Sequence, residues 1–169
     1  IADPLQASLT MLDGATALSD LNLDATLGGS GAYVLGSGND TLRLGDGLDS
    51  GAPVSGGSGT NTVAALFSVS TIRMPTFTDV EALNAVFSAS ATFDATHVSG
   101  LTTINLGIDL EGNEVASTAD ADFNNLSSSV STLNIHASQI DVEMDYASQA
   151  DATLAINFLK LGGAIQIGD

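Results

Sequence analysis

Three short stretches of the chain repeat one pattern: Glu81-Ala82-Leu83-Asn84-Ala85-Val86, Thr102-Thr103-Ile104-Asn105-Leu106 and Ser131-Thr132-Leu133-Asn134-Ile135. Ala152-Thr153-Leu154-Ala155-Ile156 follows it less closely. In each, apolar residues alternate with small or polar ones, the period of a strand with one buried face. Aligning the central Leu or Ile gives positions 83, 104, 133 and 154, in steps of 21, 29 and 21 residues. One strand per unit of roughly 20–30 residues is what a coiled solenoid needs, because each coil buries its apolar residues against the next. The competing reading is a β-sandwich with strands at irregular intervals. The solenoid also gives Asn84, Asn105 and Asn134 a reason to recur at one register: they stack as a ladder or line one exposed edge. The expected fold is all-β, a right-handed parallel β-helix or β-solenoid.

Upstream of these units the chain changes character. Of its 18 glycines, eleven fall between Gly28 and Gly59 and only six follow Gly59. The chain therefore divides into an N-terminal lead-in (1–27), a Gly/Asp-rich run of turns (28–62) and a Gly-poor run of rungs (63–169). In the lead-in, Leu21-Asn22-Leu23-Asp24-Ala25 has the period of a short strand, and Pro4 to Leu12 is compatible with a helix.

The Gly/Asp run suits calcium. That ion takes six to eight hard oxygen ligands in flexible geometry, and glycine lets a turn curl until its carbonyls face one point. The nonapeptide β-roll repeat G-G-x-G-x-D-x-U-x does this. Gly36-Ser37-Gly38-Asn39-Asp40-Thr41-Leu42 fits it from the second glycine to the apolar residue. Gly45-Asp46-Gly47-Leu48-Asp49 follows nine residues later, and Gly57-Ser58-Gly59-Thr60-Asn61-Thr62-Val63 fits with Asn61 in place of Asp. In Gly28-Gly29-Ser30-Gly31-Ala32-Tyr33, Tyr33 occupies the ligand position and is a poor ligand. The candidate metal set is Gly36, Gly38, Asn39, Asp40, Gly45, Asp46, Gly47, Asp49, Gly57, Gly59 and Asn61, serving one to three Ca2+ ions rather than a regular double ladder. Plain turns are the competing reading, since Gly, Asn, Asp and Ser favour turns in any case.

Composition narrows the partners. Asp and Glu number 20 against 3 Lys and Arg, a net charge of −17, yet only 14% of residues are charged and 44% are hydrophobic. Acidic disordered chains lack that hydrophobicity. Nothing neutralises a row of phosphates, so neither nucleic acid nor an anionic membrane surface is an expected partner. No apolar run is long enough to span a bilayer as a helix. Calcium relieves the repulsion among the carboxylates. The chain opens at Ile1 with no basic stretch followed by an apolar one, so no Sec-type signal is readable and a piece of a longer protein is the expectation.

The succession GSGNDTLRL (36–44), GGSGTNTVAAL (56–66), FTDVEALNAV (77–86), FDATHVSGLTTINLG (93–107) and FNNLSSSVSTLNIHAS (123–138) resembles the lattice-forming part of Caulobacter-type RTX surface-layer proteins, over roughly residues 18 to 160. The resemblance implies a calcium-dependent solenoid, type I secretion of a parent chain and assembly of copies of the chain into a sheet or filament on the cell surface. Cell-surface polysaccharide is a further expected partner. Carried over, Asn39, Asp40, Asp46, Asp49 and Asn61 lie on the family's calcium motif, with carbonyls of neighbouring glycines. The runner-up is an adhesin or accessory calcium domain of a secreted RTX protein.

Signals for catalysis are weak. His97 and His136 lie outside any H-E-x-x-H, there is no cysteine, and no G-x-S-x-G or P-loop occurs. Asp141, Glu143 and Asp145 alternate with Val142 and Met144, so the acids share one strand face and read as a solvated face before they read as a cation or glycan site. Asp109 with Glu111 is a further acidic candidate pair, and Asp120 and Asp122 suit a loop or a calcium contact. The expected function is structural, not enzymatic.

Overall fold

A computed structural model describes residues 22–24, 32–49, 53–136, 140–148, 153–159 and 165–167. These residues form an all-β solenoid of about five turns built from parallel strands. Sheet I has seven strands: β1 (Asn22–Asp24), β3 (Thr41–Gly45), β5 (Thr62–Phe67), β8 (Ala82–Phe87), β10 (Thr103–Leu106), β12 (Thr132–Ile135) and β14 (Ala155–Phe158). Sheet II has five: β6 (Ile72–Arg73), β9 (Ala91–Asp94), β11 (Ala121–Leu126), β13 (Val142–Tyr146) and β15 (Ile165–Ile167). Sheet III is the short stack of β2 (Tyr33–Val34), β4 (Val54–Ser55) and β7 (Phe77–Thr78). The chain passes from sheet I to II to III and back, as β5, β6, β7 and β8 show. The one helical element among the described residues is a 3-10 turn at Asp46–Asp49.

The period-two pattern dictates which side chains enter the coil. In register across sheet I, Leu42, Val63, Leu83, Ile104 and Leu133 are fully buried, one per rung. Burying each contributes about 1.5–3 kcal/mol. Across the interior, Phe67 stacks on Phe87 at 4.2 Å between ring centroids, 2° from parallel. Phe93 meets Phe67, Phe77 and Phe123 at 6.4, 6.2 and 6.1 Å. Tyr33, placed by the sequence pattern at a ligand position, instead points into this core at 4% exposure.

The register corrects one alignment. Leu133 pairs with Ile156, not Leu154, so the last step is 23 residues and Asn157 falls in the column of Asn84, Asn105 and Asn134. The 29-residue step between Ile104 and Leu133 holds an extra hairpin: Ile108 bridges Glu114 antiparallel, and Val115 N–H donates to Gly107 O at 2.9 Å. Arg43 Nε donates to Leu110 O, which lays this hairpin against the outside of sheet I. Beneath it Ala64 and Val86 are buried although their register points outward, and neither belongs to the interior cluster. The lead-in strand is present as β1. The Pro4 to Leu12 helix and the Gly28–Gly31 cluster lie outside the described residues.

Candidate functional site

The glycine turns sit at the corner where sheet III hands the chain to sheet I. There Gly36-Ser37-Gly38 lies directly under Gly57-Ser58-Gly59, 21 residues on, with Ser37 bridged to Ser58. Ser58 N–H donates to Gly36 O at 3.0 Å and Gly38 N–H to Ser58 O at 3.1 Å. The contact explains the glycines. A Cβ on Gly57 would lie 2.0 Å from Gly36 O, and one on Gly59 would lie 1.7 Å from Gly38 O, with φ at +78° and +111°. Only glycine permits that approach.

One position further, the residues that precede the sheet I strands form a polar column. Asp40 N–H donates to Asn61 Oδ1 at 3.3 Å, and Asn61 N–H to Glu81 Oε2 at 2.6 Å. Asn61 Nδ2 donates to Asp79 O at 3.2 Å, and Thr60 N–H to Asn39 Oδ1 at 2.9 Å. Asp40 is 1% exposed and Asn61 fully buried. Glu81 and Asp79 were not among the candidate ligands. The signal for Glu81 was its place one residue before a rung, the register of Asp40 and Asn61.

Gly45, Asp46, Gly47 and Asp49 go elsewhere. Gly45 is the last residue of β3, and Asp46, Gly47 and Asp49 lie in the 3-10 turn that follows it. Asp46 there accepts Ser68 Oγ–H at 2.7 Å and Ser68 N–H at 3.2 Å from the next rung. The six-residue step from Asp40 to Asp46 along an extended strand is about 20 Å, so no single ion spans the two groups. The candidate ligands therefore divide between two corners. At the Asp40 corner every donor is oxygen: one buried carboxylate, the Asn39 and Asn61 amides and turn carbonyls. That is the donor chemistry calcium takes. Several of these oxygens already accept a hydrogen bond between rungs, and among the described residues no three His, Cys, Asp or Glu side chains converge.

The two large sheets present opposite outer surfaces. On sheet I, Asn105 Nδ2 donates to Asn84 Oδ1 at 2.8 Å, Asn134 Nδ2 to Asn105 Oδ1 at 2.7 Å and Asn157 Nδ2 to Asn134 Oδ1 at 2.8 Å. The recurring asparagines are a ladder. On sheet II, Asp122 registers with Glu143, Asp141 N–H donates to Asp120 Oδ1 at 3.3 Å, and Val142 and Met144 point inward as the alternation required. Asp94 accepts Thr96 Oγ–H at 2.5 Å, which with Asn125 Nδ2 at 3.0 Å and the Thr96 N–H holds its carboxyl below the ordinary carboxylate range. Asp109 and Glu111 lie in the hairpin turn, where Asp109 Oδ1 accepts the Glu111 and Asn113 N–H groups at 3.0 and 2.7 Å. His97 is exposed, and His136 Nδ1 lies 3.5 Å from Glu114 Oε1.

No protein family model, curated protein or solved structure matches the chain.

Proposed function

We propose that the chain is a structural module of a secreted, cell-surface protein: a calcium-stabilised, right-handed solenoid with an RTX-like corner that assembles with copies of itself into a layer or filament. One observation carries the assembly reading. Phe158 registers with Ile135 and Leu106, both buried, yet is 48% exposed. It is a core residue whose rung is half covered, and a further parallel coil on β14 buries it, whether that coil is the continuation of a longer chain or a second copy. Seated by a second copy, the stacking is heterologous, the kind that extends rather than closes. Calcium at the Asp40 corner fits the all-oxygen donor set and the net charge of −17, since binding a divalent cation offsets carboxylate repulsion. On this reading the acids of sheet II are a solvated face, and the chain turns over no glycan.

Negative-stain electron microscopy of the chain in calcium and in EDTA tests the proposal. Sheets or filaments in calcium that disperse in EDTA are expected. A monodisperse folded protein in both conditions refutes assembly and favours the adhesin or accessory-domain reading.

A further inference from the structure

We infer that the outer face of sheet I binds ice. From β5 to β14 every outward-register residue is Thr, Ala, Asn, Leu or Val, and none is charged, on a chain of net charge −17. Ala64, Leu66 and Val86 stand at the hairpin end of the face, where Ala64 and Val86 are buried. The remainder is a two-column grid. Thr62, Thr103 and Thr132, with Ala82 and Ala155, form one column, and the Asn84 to Asn157 ladder forms the other. The pairing of β5, β8, β10, β12 and β14 runs without a register shift. Grid points therefore repeat at about 4.8 Å between rungs and about 6.6 Å along a strand.

Asn105 and Asn134 each spend one N–H and one oxygen lone pair on their neighbours and keep one of each, while Asn84 only accepts and Asn157 only donates, so the four rungs from β8 to β14 each retain an amide donor and acceptor at a fixed spacing. The mutual bonds hold the amides in place, and the threonines add hydroxyls flanked by methyls. Charged groups impose their own hydration shells on nearby water. An uncharged, fixed, repeating array of hydroxyl, amide and methyl groups instead orders water into a lattice.

Two other occupants suit the face less well. Five rungs of four residues cover about 250–300 Å2, well short of the roughly 800 Å2 per partner of a stable protein interface. Neutral glycans are held largely by stacking on aromatic rings, and no aromatic residue lies outward on these strands.

The test is ice recrystallisation and freezing-point hysteresis with the full chain, beside Thr103→Glu/Thr132→Glu and Val69→Glu/Ile72→Glu. The second pair adds the same charge at exposed residues off this face. Circular dichroism first establishes that both variants fold. The wild type and the Val69/Ile72 variant are expected to arrest recrystallisation, and the Thr103/Thr132 variant to lose that activity. No activity in the folded wild type, or full activity in the Thr103/Thr132 variant, overturns the inference. So does a finding that the Thr103/Thr132 change abolishes retention on cellulose, or dissociates an oligomer, without any wild-type effect on ice.

Discussion

Replacing Gly59 by Ala tests whether the turn glycines exist to let rungs stack. The new Cβ would sit 1.7 Å from Gly38 O at φ +111°, so the rungs must part at this corner. Two costs follow. Holding a side chain in that backbone region costs about 1–3 kcal/mol. Parting the rungs weakens the Ser58–Gly36 and Gly38–Ser58 hydrogen bonds, each worth about 1 kcal/mol net. The expected loss is about 3–5 kcal/mol. Gly112→Ala is the control, because Gly112 also has positive φ (+84°) but nothing lies within 4 Å of its added Cβ. It incurs only the backbone cost, about 1 kcal/mol or somewhat more. Urea unfolding followed by circular dichroism, in EDTA so that metal plays no part, measures both. If Gly59→Ala is no more destabilising than Gly112→Ala, the stacked-turn account of this corner is wrong.

Two further outcomes follow from single contacts. Asn134→Ala removes two ladder bonds and Asn157→Ala one, so the first should cost about 1–2 kcal/mol and the second about half of that by urea unfolding. Equal losses would refute this bond-by-bond account, and no loss in either would mean that the ladder bonds carry no stability. Asp94 titrates below its ordinary value of 3.8 because Thr96, chiefly, hydrogen-bonds its ionised form. Its contribution to stability is therefore present above the unfolded pKa and fades as pH falls through the lower folded value. Thr96→Val should move the Asp94 titration, followed by carboxyl NMR, back toward the ordinary value, and an unmoved titration would remove Thr96 as the cause.

The rungs were legible because burial imposes period two within each strand and stacking imposes a near-constant step between strands. Leu83, Ile104 and Leu133 showed both, and the asparagine column followed from them. Asn157 was missed because Leu154, not Ile156, was matched to Leu133; matching Ala-Ile-Asn to Thr-Leu-Asn would have found it. The glycine run misled in one respect. Read with the nine-residue period of a β-roll, it places Asp40 and Asp49 at one position in successive turns. The actual coil here is 21 residues, so Gly36 stacks on Gly57 while Gly45 rounds a different corner. The hairpin at Gly107–Val115 had a signal in the 29-residue step, but its resting place depends on Arg43, 67 residues from Leu110, and no local pattern encodes that.

Calcium is the part of the proposal on which the surface-layer reading turns. The direct measurement is the urea stability of the wild type in EDTA and in saturating calcium, with Asp40→Asn alongside. Calcium at about 100 times its dissociation constant should add about 2.7 kcal/mol per site, and Asp40→Asn should remove the gain from its corner. Equal stability of the wild type in EDTA and in saturating calcium would contradict it.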